Sequence, residues 1–150
     1  MSFESLANVS NSALWNAVEP DGVSPSATLS VTPSLLQHPL IAGAALRISG
    51  GAGALGHRVR IDPGGVDLTA SDQVRLLWRP SVPAGLQSGA PFWAELRMGS
   101  VALPAGAPGN DWHRRIPAAA PARWETVGIS LDGLAPMVRS AVSDLQIICI

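Results

Sequence analysis

The sequence predicts an all-β chain, two antiparallel sheets packed face to face as a β-sandwich of jelly-roll type. Three observations carry that expectation. The 13 prolines and 15 glycines are spread along all 150 residues and seldom leave room for an uninterrupted helix. Apolar residues recur with period two in short runs, the spacing of a strand with one buried face. Loops rich in Gly, Pro, Ser and Asp separate those runs, as in sandwiches and barrels.

Taken in order, the first 25 residues are the least regular. "FESLANVS" offers an edge strand, whereas "NAVEPDGVSPS" reads as loop. Residues 1–25 are therefore expected to form an N-terminal arm or edge strand, and residues 26–150 the sandwich domain. The first β-rich run is Thr28-Leu29-Ser30-Val31. "SLLQHPLIAGAAL" is the most apolar helical candidate, but Pro39 and Gly43 interrupt it. Leu46 and Ile48 then alternate with Arg47 and Ser49, and Val59 and Ile61 with Arg58 and Arg60. "QVRLLWRP" sets Val74, Leu76 and Trp78 against Arg75, Leu77 and Arg79. "FWAELRMG" sets Phe92, Ala94, Leu96 and Met98 against Trp93, Glu95 and Arg97. "WHRRIPA", "WETVGISL" and "LQIICI" complete a series of about eight strands, and "APMVRSAV" offers one or two helical turns before the last.

Between two of these strands lies "GAGALG", whose Gly51, Gly53 and Gly56 match the G-x-G-x-x-G spacing of a dinucleotide loop. That loop must run from a strand into a helix, whose N-terminus receives the phosphate. Here His57-Arg58-Val59-Arg60-Ile61 continues as a strand. The glycines read as a turn between antiparallel strands, not as a nucleotide site.

The bulk numbers narrow the function classes. The chain is one domain in length and can bury a full core without metal or disulfide staples. Its single cysteine, Cys149, lies in the apolar "LQIICI" run and reads as a buried structural thiol. "MSFESLANVS" does not read as a signal peptide, lacking a basic head followed by an apolar run, and no window has the apolar length of a membrane helix. Cytoplasmic synthesis without membrane contact is the expectation. The 10 basic residues are all arginine, against 11 acids, for a net charge of -1. Only Arg114 and Arg115 are adjacent, so the basic stripe of a nucleic-acid binder is missing. At 14% charged and 47% hydrophobic residues, the chain is poor in charge for a soluble domain, which points to surface covered by a partner.

From residue 26 onward the order of motifs resembles the galactose-binding-like jelly roll, the sandwich of many non-catalytic carbohydrate-binding modules. The residues that carry the resemblance are "ALRISG", "VDLTASDQVRLLWRP", "FWAELRMG", "RWETVGISLDGL" and "VSDLQIICI". The resemblance implies the fold. It carries no sugar-site motif onto this chain, because that sandwich serves many roles.

Five tryptophans, with no tyrosine and two phenylalanines, are weighed as stacking platforms. Trp78 and Trp124 are expected in the core by their strand positions. Trp15 is expected in the arm, there or as a plug against a neighbouring subunit. Trp93, beside Glu95 and Arg97, and Trp112, before His113 and Arg114, are the candidate ligand or partner contacts. His38, His57 and His113 have no metal-ligand spacing. Asp21, Asp62, Asp67 and Asp72 are oxygen ligands that a structural calcium would use, but they form no acidic loop pattern, and no other cofactor is expected. "GISLDG" departs from G-x-S-x-G, with Asp132 in place of the second glycine and no helix expected next. No catalytic residues are assigned.

Two function classes remain. The first is a stand-alone carbohydrate-binding module. The second is a non-catalytic structural subunit of a larger assembly, such as a decoration, tail or spike component of a phage or phage-like particle. Low charge and outer strands suit the second class, a homo-oligomer with protein neighbours and a secondary contact to surface glycans.

Overall fold

A computed structural model describes residues 6–34, 45–50, 53–80, 94–116 and 123–150. Among these residues nine strands form antiparallel sheets. In chain order they are β1 (Asn16–Val18), β2 (Leu29–Ser34), β3 (Ala45–Gly50), β4 (Arg58–Ile61), β5 (Gln73–Trp78), β6 (Ala94–Gly99), β7 (His113–Arg115), β8 (Glu125–Ser130) and β9 (Asp144–Cys149). A single helical turn, α1 (Pro136–Arg139), precedes β9. It occupies the "APMVRSAV" segment, started by Pro136 in the first turn, where its missing N–H costs nothing.

One sheet has five strands in the order β1-β4-β9-β6-β7; β2 pairs with β3 and β5 with β8 as separate ladders. The all-β class is evident in this arrangement, which has the character of a sandwich. Alternation assigns the faces. Val59 and Ile61 of β4, Leu145 and Ile147 of β9, and Ala94, Leu96 and Met98 of β6 point inward. They meet Leu29, Val127, Ile129 and Leu131, with Val74, Leu76 and Trp78 of β5 packed against the cluster. Met98, Leu131, Val59 and Val138 are fully enclosed. Burying such side chains stabilises a fold by about 1.5–3 kcal/mol each, so the inward set supplies most of what holds the ladders together.

The N-terminal region differs from the sequence reading. "NAV", expected as loop, is β1, pairing Ala17 with Val59 at the edge of the large sheet, while residues 6–10 of "FESLANVS" are not strand. Trp15 is the physical reason. It is 5% exposed within the core cluster, and its indole nitrogen donates to the Asn8 carbonyl at 2.8 Å. This anchor, rather than any alternation in the segment, brings the next three residues against β4.

The glycine-rich turn also differs in its connections. β3 and β4 do not pair; the turn carries the chain from the β2–β3 ladder to the five-stranded sheet. Within it, Ala54 plugs into the core, Leu55 is exposed, and Gly56 adopts φ +79°, a conformation that favours glycine. Gly56 N–H donates to the Cys149 carbonyl at 2.8 Å, which ties the turn to the last strand. Gly51, Phe92, Trp93, His38 and most of "SLLQHPLIAGAAL" lie outside the described residues. No helix among the described residues is long and apolar enough to cross a membrane.

Candidate interaction face

Residues directly opposite each other in an antiparallel pair share a face, so the register of the large sheet fixes what stands on its outer side. One cross-strand row reads Asn16, Arg60, Gln146, Arg97 and His113. The next reads Val18, Arg58, Ile148, Glu95 and Arg115. Val18 and Ile148 are buried but do not belong to the main core cluster. In the register they flank Arg58, one on each side.

Gln146 lies at the centre, 4% exposed. Its amide nitrogen donates to Asp144 Oδ2 at 2.6 Å, and its Oε1 accepts from Arg58 Nη1 at 3.1 Å. Asp144 also accepts from Arg60 through Nε at 3.1 Å and Nη2 at 3.0 Å. This pair fixes the orientation of the Arg60 plane, a geometry an ammonium cannot copy. Both arginines reach over β1 to the loop after it. Arg58 donates to the Pro20 carbonyl at 2.9 Å, and Arg60 to that of Gly22. Asp21 stiffens the loop by accepting from the Val23 and Ser24 amides at 2.8 and 2.9 Å and from the Ser24 hydroxyl. Those bonds, the hydroxyl's first, hold its carboxyl below the ordinary range.

The face is electrostatically crowded. Burial first, and then the positive charges of Arg97 and Arg60, push Arg58 below its ordinary value. Arg58 Nε is buried without a partner among the described residues. Four arginines and one histidine share the two rows with a single acid, Glu95. Asp144, at the start of β9, is committed to Arg60. The rows therefore present a surplus of positive charge in a chain whose net charge is -1.

Of the residues expected from the sequence to make contacts, Glu95, Arg97 and His113 come together on this face. Glu95 and Arg97 are half-buried and His113 is exposed. Arg97 donates to the Asn110 carbonyl at 2.9 Å; His113 Nδ1 lies 2.8 Å from the Asp111 carbonyl. Arg114 faces the other way. It stacks over the Trp112 ring at 5.0 Å and donates to the Asp132 carbonyl. Trp112, expected at a surface, is 5% exposed, and its indole nitrogen donates to the same carbonyl at 3.0 Å. Turning the ring inward lets the segment before β7 close the sandwich, with Arg114 as its cover, so Trp112 offers no open platform. Trp93 falls outside the described residues.

Comparison with family models, with curated proteins and with solved structures finds no match to this chain. The chemistry of the face itself is therefore the guide to its role.

One further constellation has the appearance of catalytic chemistry. Ser26 Oγ lies 2.8 Å from His57 Nδ1, within reach for a nucleophile and its base. The same oxygen accepts from the Thr28 amide at 3.2 Å and the Leu29 amide at 2.9 Å. Those bonds make it the cap of the turn entering β2, with His57 as a strap between that turn and the glycine-rich one. Asp62 and Asp67 likewise cap their own turns, accepting from Gly64 and Thr69 amides at 2.7 and 2.8 Å. Among the described residues no three His, Cys, Asp or Glu side chains are grouped to hold a metal ion.

The sequence alone does not mark Arg58, Arg60 or Gln146 as contacts. The alternation in "HRVRID" puts both arginines on one face, but nothing in the linear order makes β9 and β6 the next two strands.

Proposed function

We propose that this chain is a non-catalytic interaction protein, a jelly-roll subunit of galactose-binding-like type within a larger homo-oligomeric assembly such as a phage-like particle. The observation that carries the reading is the outer face of the five-stranded sheet, where Arg58, Arg60, Arg97, Glu95 and His113 stand in ordered rows around the sunken Gln146. Guanidinium groups are planar and weakly hydrated, which suits them to protein interfaces. The orienting bonds of Arg58 and Arg60 lower the entropy lost when a partner docks. The burial of Trp15 and Trp112 removes both as sugar platforms and equally as contacts to a neighbouring subunit, so the reading rests on the arginine face. The engagement of Ser26 in a turn cap supports the non-catalytic half.

Size-exclusion chromatography with light scattering, run beside retention on immobilised polysaccharide, tests the proposal. The expected outcome is a defined oligomer indifferent to sugars. A monomer at every concentration that is retarded by polysaccharide would make the chain a carbohydrate-binding module instead.

A further inference from the structure

The arginine face has a counterpart on the same molecule. Between Arg60 and Arg75 the sequence has no basic residue and three acids, Asp62, Asp67 and Asp72. The structure places all three, exposed, on the connection from β4 to β5. The Asp72 side chain is as open as a free one, at 105% relative exposure, with Arg139 4.0 Å away. Asp67 is held below the ordinary carboxyl range by its backbone and side-chain bonds to Thr69.

This connection is fixed, not loose. Val66 bridges to Val142, Leu68 N–H donates to the Arg139 carbonyl at 2.8 Å, and Arg139 Nε donates back to the Leu68 carbonyl at 3.0 Å. It begins where β4 ends and leads to β5, and none of its three aspartates is a member of the two arginine rows. The acidic connection thus carries three acids against one basic neighbour, Arg139, while the two rows carry four arginines against one acid.

We infer that the arginine face takes the acidic β4–β5 connection of a second copy of this chain, so that subunits join basic face to acidic loop. The inference rests on the assembly reading above and names its partner. Opposite charges select the pairing and its register, and like charges disfavour face-to-face and loop-to-loop docking. A contact between unlike patches closes into a ring when the rotation allows and otherwise continues as a chain.

Charge reversal in two variants tests it. Arg97→Glu alone and Asp72→Arg alone should each weaken association roughly tenfold or more, read by sedimentation velocity. An equimolar mixture of the two should recover it, because each copy then offers the intact half that the other lacks. His113→Glu repeats the face-side test without touching the Arg97 bond to Asn110, and circular dichroism checks that each variant folds. Association of the unaltered chain should also fall when salt is raised from about 0.05 M to about 0.5 M. An oligomer that keeps its affinity through the reversals and the salt overturns this inference and leaves the assembly reading standing on another surface. A chain monomeric throughout overturns the assembly reading itself.

Discussion

Asn110 holds more of the structure than its surface-loop position suggests. It is 3% exposed. Its Oδ1 accepts from the Ser100 amide at 2.8 Å, and its Nδ2 donates to the carbonyls of Ser100, Leu103 and Pro104 at 3.1 to 3.2 Å. Gly99 must be glycine for the same reason, since a Cβ there would overlap Asn110 Oδ1. Asn110→Ala would leave those groups buried and unpaired, at about 2–3 kcal/mol. Chemical denaturation should show that loss, while the backbone carbonyl that accepts from Arg97 is retained in the variant. Cys149 is half-buried near the end of β9. Burial raises its pKa from the ordinary 9.0, so the native thiol should react with a disulfide reagent more slowly than the unfolded one at pH 8. The folded state binds that proton more tightly than the unfolded state. The linked stability is therefore complete below the unfolded pKa and is lost as pH rises through the folded one. Alkaline titration of the melting temperature should show a decline that a Cys149→Ala variant lacks.

The edge strand β1 decides whether the large sheet is finished. Its three residues close the β4 edge, and the loop after it is held by Arg58 and Arg60. Trp15 is the anchor that puts them there. Trp15→Ala should cost about 3–5 kcal/mol in the isolated monomer, measured by urea unfolding at concentrations too low for association. A plug against a neighbour would leave the monomer unchanged and weaken only the oligomer. Truncation of residues 1–18 should go further. It bares the β4 edge and removes the buried Val18 beside Arg58, so thermal scans with light scattering should show earlier unfolding and then aggregation. The β-ladders themselves are legible from alternation. In β8, for example, Val127 and Ile129 point inward and Thr126, Gly128 and Ser130 outward, as "WETVGISL" reads. β1 is not legible, because Asn-Ala-Val carries no period and its pairing is imposed by the distant residues of β4.

The arginine face belongs to the whole molecule. Its two rows draw on five strands, from Asn16 to Ile148 in the sequence, and no local window contains more than two or three of its members. The same holds for charge. A net value of -1 describes a nearly neutral chain, whereas the fold gathers arginines on one sheet face and aspartates on one connection. Low charge density and scattered arginines argue against a nucleic-acid stripe in the sequence; they give no sign that five strands collect those arginines. A chain of this composition is also expected to be least soluble near its pI of about 6.3, where self-repulsion is weakest, and turbidity against pH checks this.

The class of structure and the inward side of most strands were already written in the linear order of residues, because alternation and the spacing of Gly and Pro are local properties that burial simply reads out. That order also placed Glu95, Arg97 and His113 on strands, and it made the glycine-rich turn a connection into a strand, because Val59 and Ile61 alternate with arginines directly after Gly56. That β4 and β6 flank β9, and that β3 and β4 belong to different sheets, emerged with the folded chain. Folding also decided that Trp112 points inward while Arg58 and Arg60 join Arg97 around Gln146. Strand order is a non-local choice, set by which apolar faces can close one core together, and that choice brings distant charges onto one face.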